Sequence, residues 1–377
     1  MGIKIGVVKE HAPGERRVAL VPEVAKKLVA KGAEIILESG AGEAAGFLDD
    51  AYGASKIVKS SKAVATASDI LLHVLPPTDT AITGLKQGAI TVGYVQPHKD
   101  TKRSVKLRDR KITAFGLEVL PRTTRAQAMD VLSSQASVAG YKAVLIGAEL
   151  CVKFFPMLTT AAGTIRPAKV LVIGAGVAGL QALATARRLG AIVEGYDVRP
   201  ETKEQVESLG AKFLELGVSA SGSGGYAREL TDEEKAAQQE ALANHLKGID
   251  VLVTTAAIPG RPSPKIISKS MVEGMRAASV IVDLAAEGGG NCEMTKPGET
   301  TTHAGVTIAG PLNLPSMAPL HASEMYSRNL HNFVDLIIKD GEIDLNWEDD
   351  LVAASAITHD GEIKHEATRN LVEGESS

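Results

Sequence analysis

The run Val170-Leu171-Val172-Ile173-Gly174-Ala175-Gly176-Val177-Ala178-Gly179 constrains the fold more than any other stretch of the chain. An apolar segment of strand length meets a GxGxxG loop, and a helical pattern follows through Leu189. That order is the opening of a dinucleotide-binding βαβ unit. Gly174 permits the tight turn, Gly176 admits a pyrophosphate close to backbone N–H groups, and Gly179 lets helix and strand pack closely. The helix start at Val177 and Ala178 adds free donors and partial positive charge for phosphates. The next apolar run, Ile192 to Tyr196, ends at Asp197, 23 residues after Gly174. A carboxylate there accepts both ribose hydroxyls and repels a 2′-phosphate, which makes NAD(H) the expected ligand. Arg199 weighs in the other direction, since an Arg at this place can hold that phosphate. The alternative is a glycine turn and a surface Asp that bind nothing.

Apolar runs alternate with helix-period segments on both sides of this motif. Ile3 to Val8, Glu34 to Leu37, Ile70 to Val74, Ile90 to Val95 and Ile112 to Phe115 read as strands, with helices at Pro22 to Lys31 and Thr101 to Arg110. A second series starts at Lys169, with strands at Val170 to Ile173, Ile192 to Tyr196, Val251 to Thr254, Val280 to Leu284 and Val306 to Ala309. Two βαβα series predict an α/β protein of two Rossmann-like, doubly wound domains with parallel sheets, separated by a cleft. The join falls on a helical stretch after Asp130, through Tyr141 to Leu150. Pro319 to Lys339 reads as one long helix, with Leu320, Met325, Leu330, Phe333, Val334 and Ile337 available for burial. It is expected to return to the first domain. The expected domains are thus 1–133 plus 317–377, and 134–316. Phe154 to Arg166 reads as a hairpin, and Leu216 to Leu230 as a Gly/Ser-rich loop before a helix capped by Thr231.

With 377 residues, 44% of them hydrophobic, the chain is long enough for both domains. The net charge of −4 gives no footprint for nucleic acid. Cys151 and Cys292 stand far apart and form no CxxC, so neither a disulfide framework nor a metal site is expected, and a reducing, cytoplasmic setting follows. The N-terminus reads as a strand, not as a signal peptide. No apolar run reaches the ~18–20 residues that span a bilayer, so membrane insertion is not expected.

Other polar groups gather at Pro121 to Gln135 (PRTTRAQAMDVLSSQ), which holds Arg122, Arg125, Gln127, Asp130, Ser133 and Ser134. Polar groups at an interdomain join suit a ligand cleft. They also suit a helix start capped by Thr123 or Thr124 with a solvated face. Lys9-Glu10 and Glu15-Arg16-Arg17 follow the first strand, where ligands bind in open α/β sheets. The expected reading there is a solvated turn around Pro13-Gly14. Asp283 and Glu287 precede Gly288-Gly289-Gly290 and are expected to serve turn geometry or line the cleft. Nine scattered histidines form no HxxxH pair, and GxSxG, P-loop Lys and HExxH are all missing. Hydrolase, kinase and metalloprotease classes are therefore disfavoured.

Taken with FFPMLTTAAGTIRPAKVLVIGAGVAGLQALATARRLGA, GGYAREL and VIVDLAAEGGGNC, the PRTTRAQAMDVLSSQ segment gives the chain its resemblance. It resembles, over essentially its whole length, the NAD(H)-binding α1 component (domain I) of the proton-translocating NAD(P) transhydrogenases. That family is related to the alanine dehydrogenases, with which this chain shares Lys9-Glu10 and Arg17-Val18-Ala19-Leu20. Alanine dehydrogenases handle the amino acid with a Lys after the third strand and a His after the fourth. Here Leu75 stands at the first place and Tyr94-Val95-Gln96 at the second, while His73 and His98 are out of register. Amino-acid oxidation needs a proton acceptor, whereas passing hydride between two nicotinamides needs only positioning and exclusion of water.

The resemblance implies roles residue by residue. Arg122, Gln127, Asp130 and Ser133, with Thr123 and Thr124, match the family's polar loop at the nicotinamide, ribose and phosphates. Gln127 would also reach toward the partner's nucleotide. Val177 and the glycine loop match the pyrophosphate site, and Asp197, Val198 and Arg199 the adenosine end. Gly225, Gln238 and Ala257 match further nucleotide contacts, and Tyr226 matches a Tyr on a loop that closes over bound NAD(H). Phe154 to Arg166 matches a hairpin exchanged between protomers of a homodimer. The implied activity is hydride transfer between this chain's NAD(H) and NADP(H) on a separate subunit, coupled to proton translocation through a membrane-spanning subunit. The chain would then lie peripherally, at the inner face of the cell membrane. The alternatives are an alanine-dehydrogenase-like enzyme and a non-catalytic NAD(H)-binding module.

Overall fold

The structure is a computed structural model that describes residues 2–216, 231–256 and 262–374. In chain order the opening stretch holds β1 (Lys4–Val7), α1 (Pro22–Ala30), β2 (Glu34–Glu38), β3 (Lys56–Val58), α2 (Ser61–Ala67), β4 (Ile70–Leu72), α3 (Asp79–Gly84), β5 (Ile90–Gly93), α4 (Thr101–Asp109) and β6 (Thr113–Gly116). A 20-residue helix, α5 (Val131–Leu150), leads onward. The middle stretch holds β7 (Leu158–Thr160), β8 (Gly163–Ile165), β9 (Lys169–Ile173), α6 (Val177–Arg188), β10 (Ile192–Tyr196), α7 (Thr202–Ser208), β11 (Lys212–Phe213), α8 (Asp232–Leu246), β12 (Val251–Thr254), α9 (Lys269–Gly274), β13 (Val280–Asp283), β14 (Thr300–His303) and β15 (Val306–Ala309). The chain closes with α10 (Pro319–Ile337), β16 (Ile338–Lys339), β17 (Glu342–Ile343), α11 (Asp350–Ser355), β18 (Ala356–His359), β19 (Glu362–Ile363) and α12 (Glu366–Gly374).

These elements form two compact units, residues 1–135 with 316–377 and residues 136–315. The sheet of the first unit runs β19-β18-β6-β5-β4-β1-β2-β3, and that of the second β11-β10-β9-β12-β13-β15-β14. Strands β1–β6 pair in parallel, as do β9–β13 and β15. In each sheet the winding reverses once, between β1 and β4 and between β9 and β12. Such reversals leave a crevice at the carboxyl ends of the strands, where doubly wound folds bind ligands.

The apolar runs work because both faces of each sheet are covered. In β9, Val170 and Val172 pack with Ala182 and Leu183 of α6, while Leu171 and Ile173 pack with Leu242 and Leu246 of α8. The period-two alternation thus feeds two cores. The first unit repeats this, with Ile5 and Val7 against Leu28, Tyr326 and Phe333, and Leu71 against Ile82 and Leu107.

Three details differ from the sequence-based expectations. Leu320 is exposed and Met325 is half-buried, while Ala322, Ser323 and Tyr326 are buried in their place on α10. The helix turns a flank, not its start, to the core. Strands β14, β18 and β19 add antiparallel edges with no counterpart in the expected series. The helix after Asp130 is capped neither by Thr123 nor by Thr124. Asp130 takes that role, its Oδ1 accepting from Ser133 N at 2.9 Å and its Oδ2 from Ser133 Oγ at 2.5 Å. Among the described residues, no helix is long and apolar enough to cross a membrane.

Candidate functional site

In the second unit the glycine loop joins β9 to α6, beside the reversal between β9 and β12. Gly174 has φ +96°, a conformation that favours glycine. A Cβ on Gly179 would lie 1.7 Å from Gly174 O, so the helix can approach the strand only without one. A Cβ on Gly140 of α5 would lie 2.0 Å from Ala178 O, which marks a second close approach to the start of α6. Gly176 differs from both. Its φ is −78°, and a Cβ there would meet nothing within 4 Å. Neither backbone strain nor packing within the protein requires glycine at 176. What remains is an open space over the start of α6, whose first turn no side chain caps. Uncapped amides at the positive end of a helix suit a phosphate.

Asp197 lies at the carboxyl end of β10. Its Oδ2 accepts from Ala175 N at 2.7 Å and from Arg199 Nη2 at 3.0 Å. Its Oδ1 accepts from Arg199 N at 2.9 Å and Nε at 3.0 Å. Burial alone would raise the carboxyl's pKa, but the Arg199 side chain and the two backbone N–H groups outweigh it and hold it below the usual range. The acid is therefore ionised and fixed against the loop. Gln238 of α8 donates from Nε2 to Tyr196 Oη at 2.7 Å, so the fold brings it to the same strand end. Val198 is exposed. Gly225, Tyr226 and Ala257 lie outside the described residues.

Sequence reasoning missed Thr255 and Asn291. Thr255 Oγ1 donates to Gly174 O at 3.0 Å, and Asn291 holds Ala256 through both its backbone groups, at 3.0 and 2.7 Å. The end of β12 is thereby locked beside the loop. Asp283, at the end of β13, is fully buried and accepts from Thr254 Oγ1, Ala285 N, Cys292 N and Thr295 Oγ1. It organises the turn, and Glu287 is not paired with it.

In the first unit the PRTTRAQAMD segment forms a 3-10 turn over Arg125–Met129. Ala126 and Met129 enter the core, while Arg122, Thr123, Thr124 and Gln127 are exposed. Asp130 and Ser133 are half-buried and bonded to each other. The two groups of expected residues thus stand in different units, each assembled on its own frame.

The expected solvated turn after β1 is corrected by the structure. Glu15 and Arg17 are buried, and Arg17 Nε and Nη2 donate to Glu15 Oε1 and Oε2 at 2.8 and 2.6 Å. Arg17 Nη1 also donates to Gln135 at 2.9 Å, and Ser316 Oγ to Glu15 at 2.8 Å. The apolar run Val18-Ala19-Leu20-Val21 behind Arg17 is core, which pulls the pair inward. Burial lifts the Glu10 carboxyl to about 8, against the opposing N–H of Val74 at 2.6 Å. His73 is fully buried, its Nδ1 is 2.9 Å from Leu75 O, and burial depresses its pKa to about 4. It is a neutral core histidine at physiological pH.

Known proteins share this architecture and its glycine loop. Residues 6–139 match the alanine dehydrogenase/PNT N-terminal domain, and residues 143–366 the alanine dehydrogenase/PNT C-terminal domain. The chain is 45% identical to the first of the separately encoded pieces of NAD(P) transhydrogenase subunit alpha in Rhodospirillum rubrum, over 97% of this chain and 98% of that protein. It is 29% identical to alanine dehydrogenase of Halomonas elongata, over 97% and 95%. The crystal structure of transhydrogenase from Sinorhizobium meliloti superposes with a TM-score of 0.85 at 39% identity, covering 97% of this chain and 99% of that one.

Proposed function

The chain belongs to the alanine dehydrogenase/PNT family, in its NAD(P) transhydrogenase alpha-subunit branch, and we propose that it is the NAD(H)-binding component of such an enzyme. It passes hydride between its own NAD(H) and NADP(H) held by a partner subunit, with a membrane-spanning subunit carrying the coupled proton flow. It works as a homodimer, peripheral at the inner face of the cell membrane. Gly176 carries the reading, because its missing side chain matters only to something that approaches from outside the protein.

The nicotinamide supplies the hydride chemistry when bound. The chain's residues hold and orient it. The first-turn amides of α6 at Val177, Ala178 and Gly179 receive the pyrophosphate. Asp197, already ionised, receives the adenosine ribose, with Val198, Arg199 and Gln238 around it. Gly225, Tyr226 and Ala257 complete that side. Arg122, Thr123, Thr124, Gln127, Asp130 and Ser133 serve the nicotinamide end, where Gln127 sets the approach of the second nucleotide. No proton has to be taken from a substrate, so no general base is assigned.

Two substitutions test the halves separately. Asp197→Ala should weaken NADH binding by about 1–3 kcal/mol in a fluorescence titration, through loss of charge-assisted ribose hydrogen bonds. Unchanged affinity would remove Asp197 from the ribose. Gln127→Asn, assayed with an NADP(H)-binding partner, should slow single-turnover hydride transfer roughly 10- to 100-fold while the NADH Kd moves less than about threefold. Equal losses in both would refute a positioning role. Robust NAD reduction with alanine, by the chain alone, would overturn the whole reading in favour of a dehydrogenase.

A further inference from the structure

We propose that Asn329 and Asn332 of α10 are positioning residues that fix the 3-10 turn carrying Gln127. The inference rests on the role proposed above for Gln127 and extends it to residues outside the PRTTRAQAMDVLSSQ segment.

A 3-10 turn has poorer hydrogen-bond geometry than an α-helix and needs outside support to hold one shape. The bonds of this turn are long. Gln127 N donates to Thr124 O at 3.3 Å, and Asp130 N to Gln127 O at 3.3 Å. Support comes from three sides. Ala126 and Met129 plug into the core on either side of the exposed Gln127. Arg125 reaches Asp349 and Asp350 at the start of α11, an exposed fork that contributes little by itself. The third support is unlike the others. Ala128 O accepts from Asn329 Nδ2 at 2.8 Å and from Asn332 Nδ2 at 2.9 Å.

Asparagine is a weak helix former, and burying its amide is costly without partners. Asn329 is only 8% exposed, yet it sits in mid-helix three residues from Asn332 on one face of α10. Helix stability explains neither residue. Their shared acceptor explains both, because two donors on one carbonyl fix the peptide that immediately follows Gln127. Neither asparagine is bonded to the Gln127 side chain. They act through the turn, by limiting how far its backbone can rotate.

The test uses the full chain, mixed with an NADP(H)-binding transhydrogenase partner. In Asn329→Ala/Asn332→Ala, single-turnover hydride transfer should slow roughly 10- to 100-fold, because a small misplacement of a positioning group carries that cost. The NADH Kd should move less than about threefold, separating positioning from binding. Amide hydrogen exchange over residues 125–130 should accelerate. Asn332→Ala alone, at the half-buried site, should slow transfer less, and Asn332→Gln should restore part of the rate by returning a donor. A wild-type rate in the double variant overturns the inference, whether or not exchange over 125–130 accelerates. So does a parallel loss of rate, affinity and thermal stability. Gln127→Ala in the same assay separates the two levels. If it slows transfer and the double variant does not, the inference alone falls. If it leaves the rate at wild type, the role of Gln127 falls and the inference falls with it.

Discussion

Gly179→Ala should abolish measurable NADH binding and destabilise the second unit, whereas Gly176→Ala should abolish binding and leave stability nearly unchanged. The two glycines are three residues apart and differ in what surrounds them. At 179 the new methyl would sit 1.7 Å from the backbone oxygen of Gly174, with Thr255 Oγ1 at 3.3 Å. Backbone cannot swing aside as a flexible side chain can, so α6 must move off β9. Overpacking of this kind costs about 1–3 kcal/mol, more where backbone is involved. At 176 the methyl meets no protein atom within 4 Å. There the cost to the fold should stay within about 1 kcal/mol, and any loss of affinity reports on a ligand. Thermal unfolding and NADH titration of both variants check this. Wild-type affinity in Gly176→Ala would remove the pyrophosphate from the loop.

Arg17→Met should destabilise the first unit by about 3–5 kcal/mol, because it strips the guanidinium from a buried carboxylate. The lower end is expected, since Ser316 Oγ and the backbone N–H groups of Arg16 and Arg17 continue to donate to Glu15. Burial by itself would raise the Glu15 pKa, but the hydrogen bonds and charge of Arg17 overcome it and hold the group at about 2. A folded value below the ordinary 4.5 means that the unfolded chain binds the proton more tightly. The contribution is therefore complete above pH 4.5 and fades as pH falls toward 2. Urea unfolding at about pH 7 and about pH 3.5 checks both parts. Arg17→Met with wild-type stability at neutral pH would show that the pair adds nothing to the fold.

The frame was legible where the chain is most apolar and most regular. Parallel strands covered on both faces read as unbroken Val/Ile/Leu runs, and β9, β10, β12 and β13 stand out for that reason. Edge strands lack this mark. Thr300–His303 alternates between exposed and half-buried, and its threonines read equally well as loop. Strand β18 is buried, but it is four residues long and pairs antiparallel with β6, some 240 positions earlier. No local pattern announces such a partner. The same distance hid the supports of the candidate site. Glycine spacing is local, and so the loop was evident. The bonds from Asn329 and Asn332 to Ala128 span about 200 residues. The inward pull on Arg17 was written in Val18 to Val21, but Pro13-Gly14 beside it suggested a turn in water.

The hairpin of β7 and β8 has a consequence of its own. Every residue from 156 to 166 is exposed, and Met157, Leu158 and Ile165 are among them. Two strands by themselves are marginal in water, and nothing in their own unit shields these side chains. Where a second copy of the chain supplies the cover, the order of this segment obeys mass action. Dilution then acts on it as a mild denaturant would, and the protein's melting behaviour becomes a property of how much protein is present.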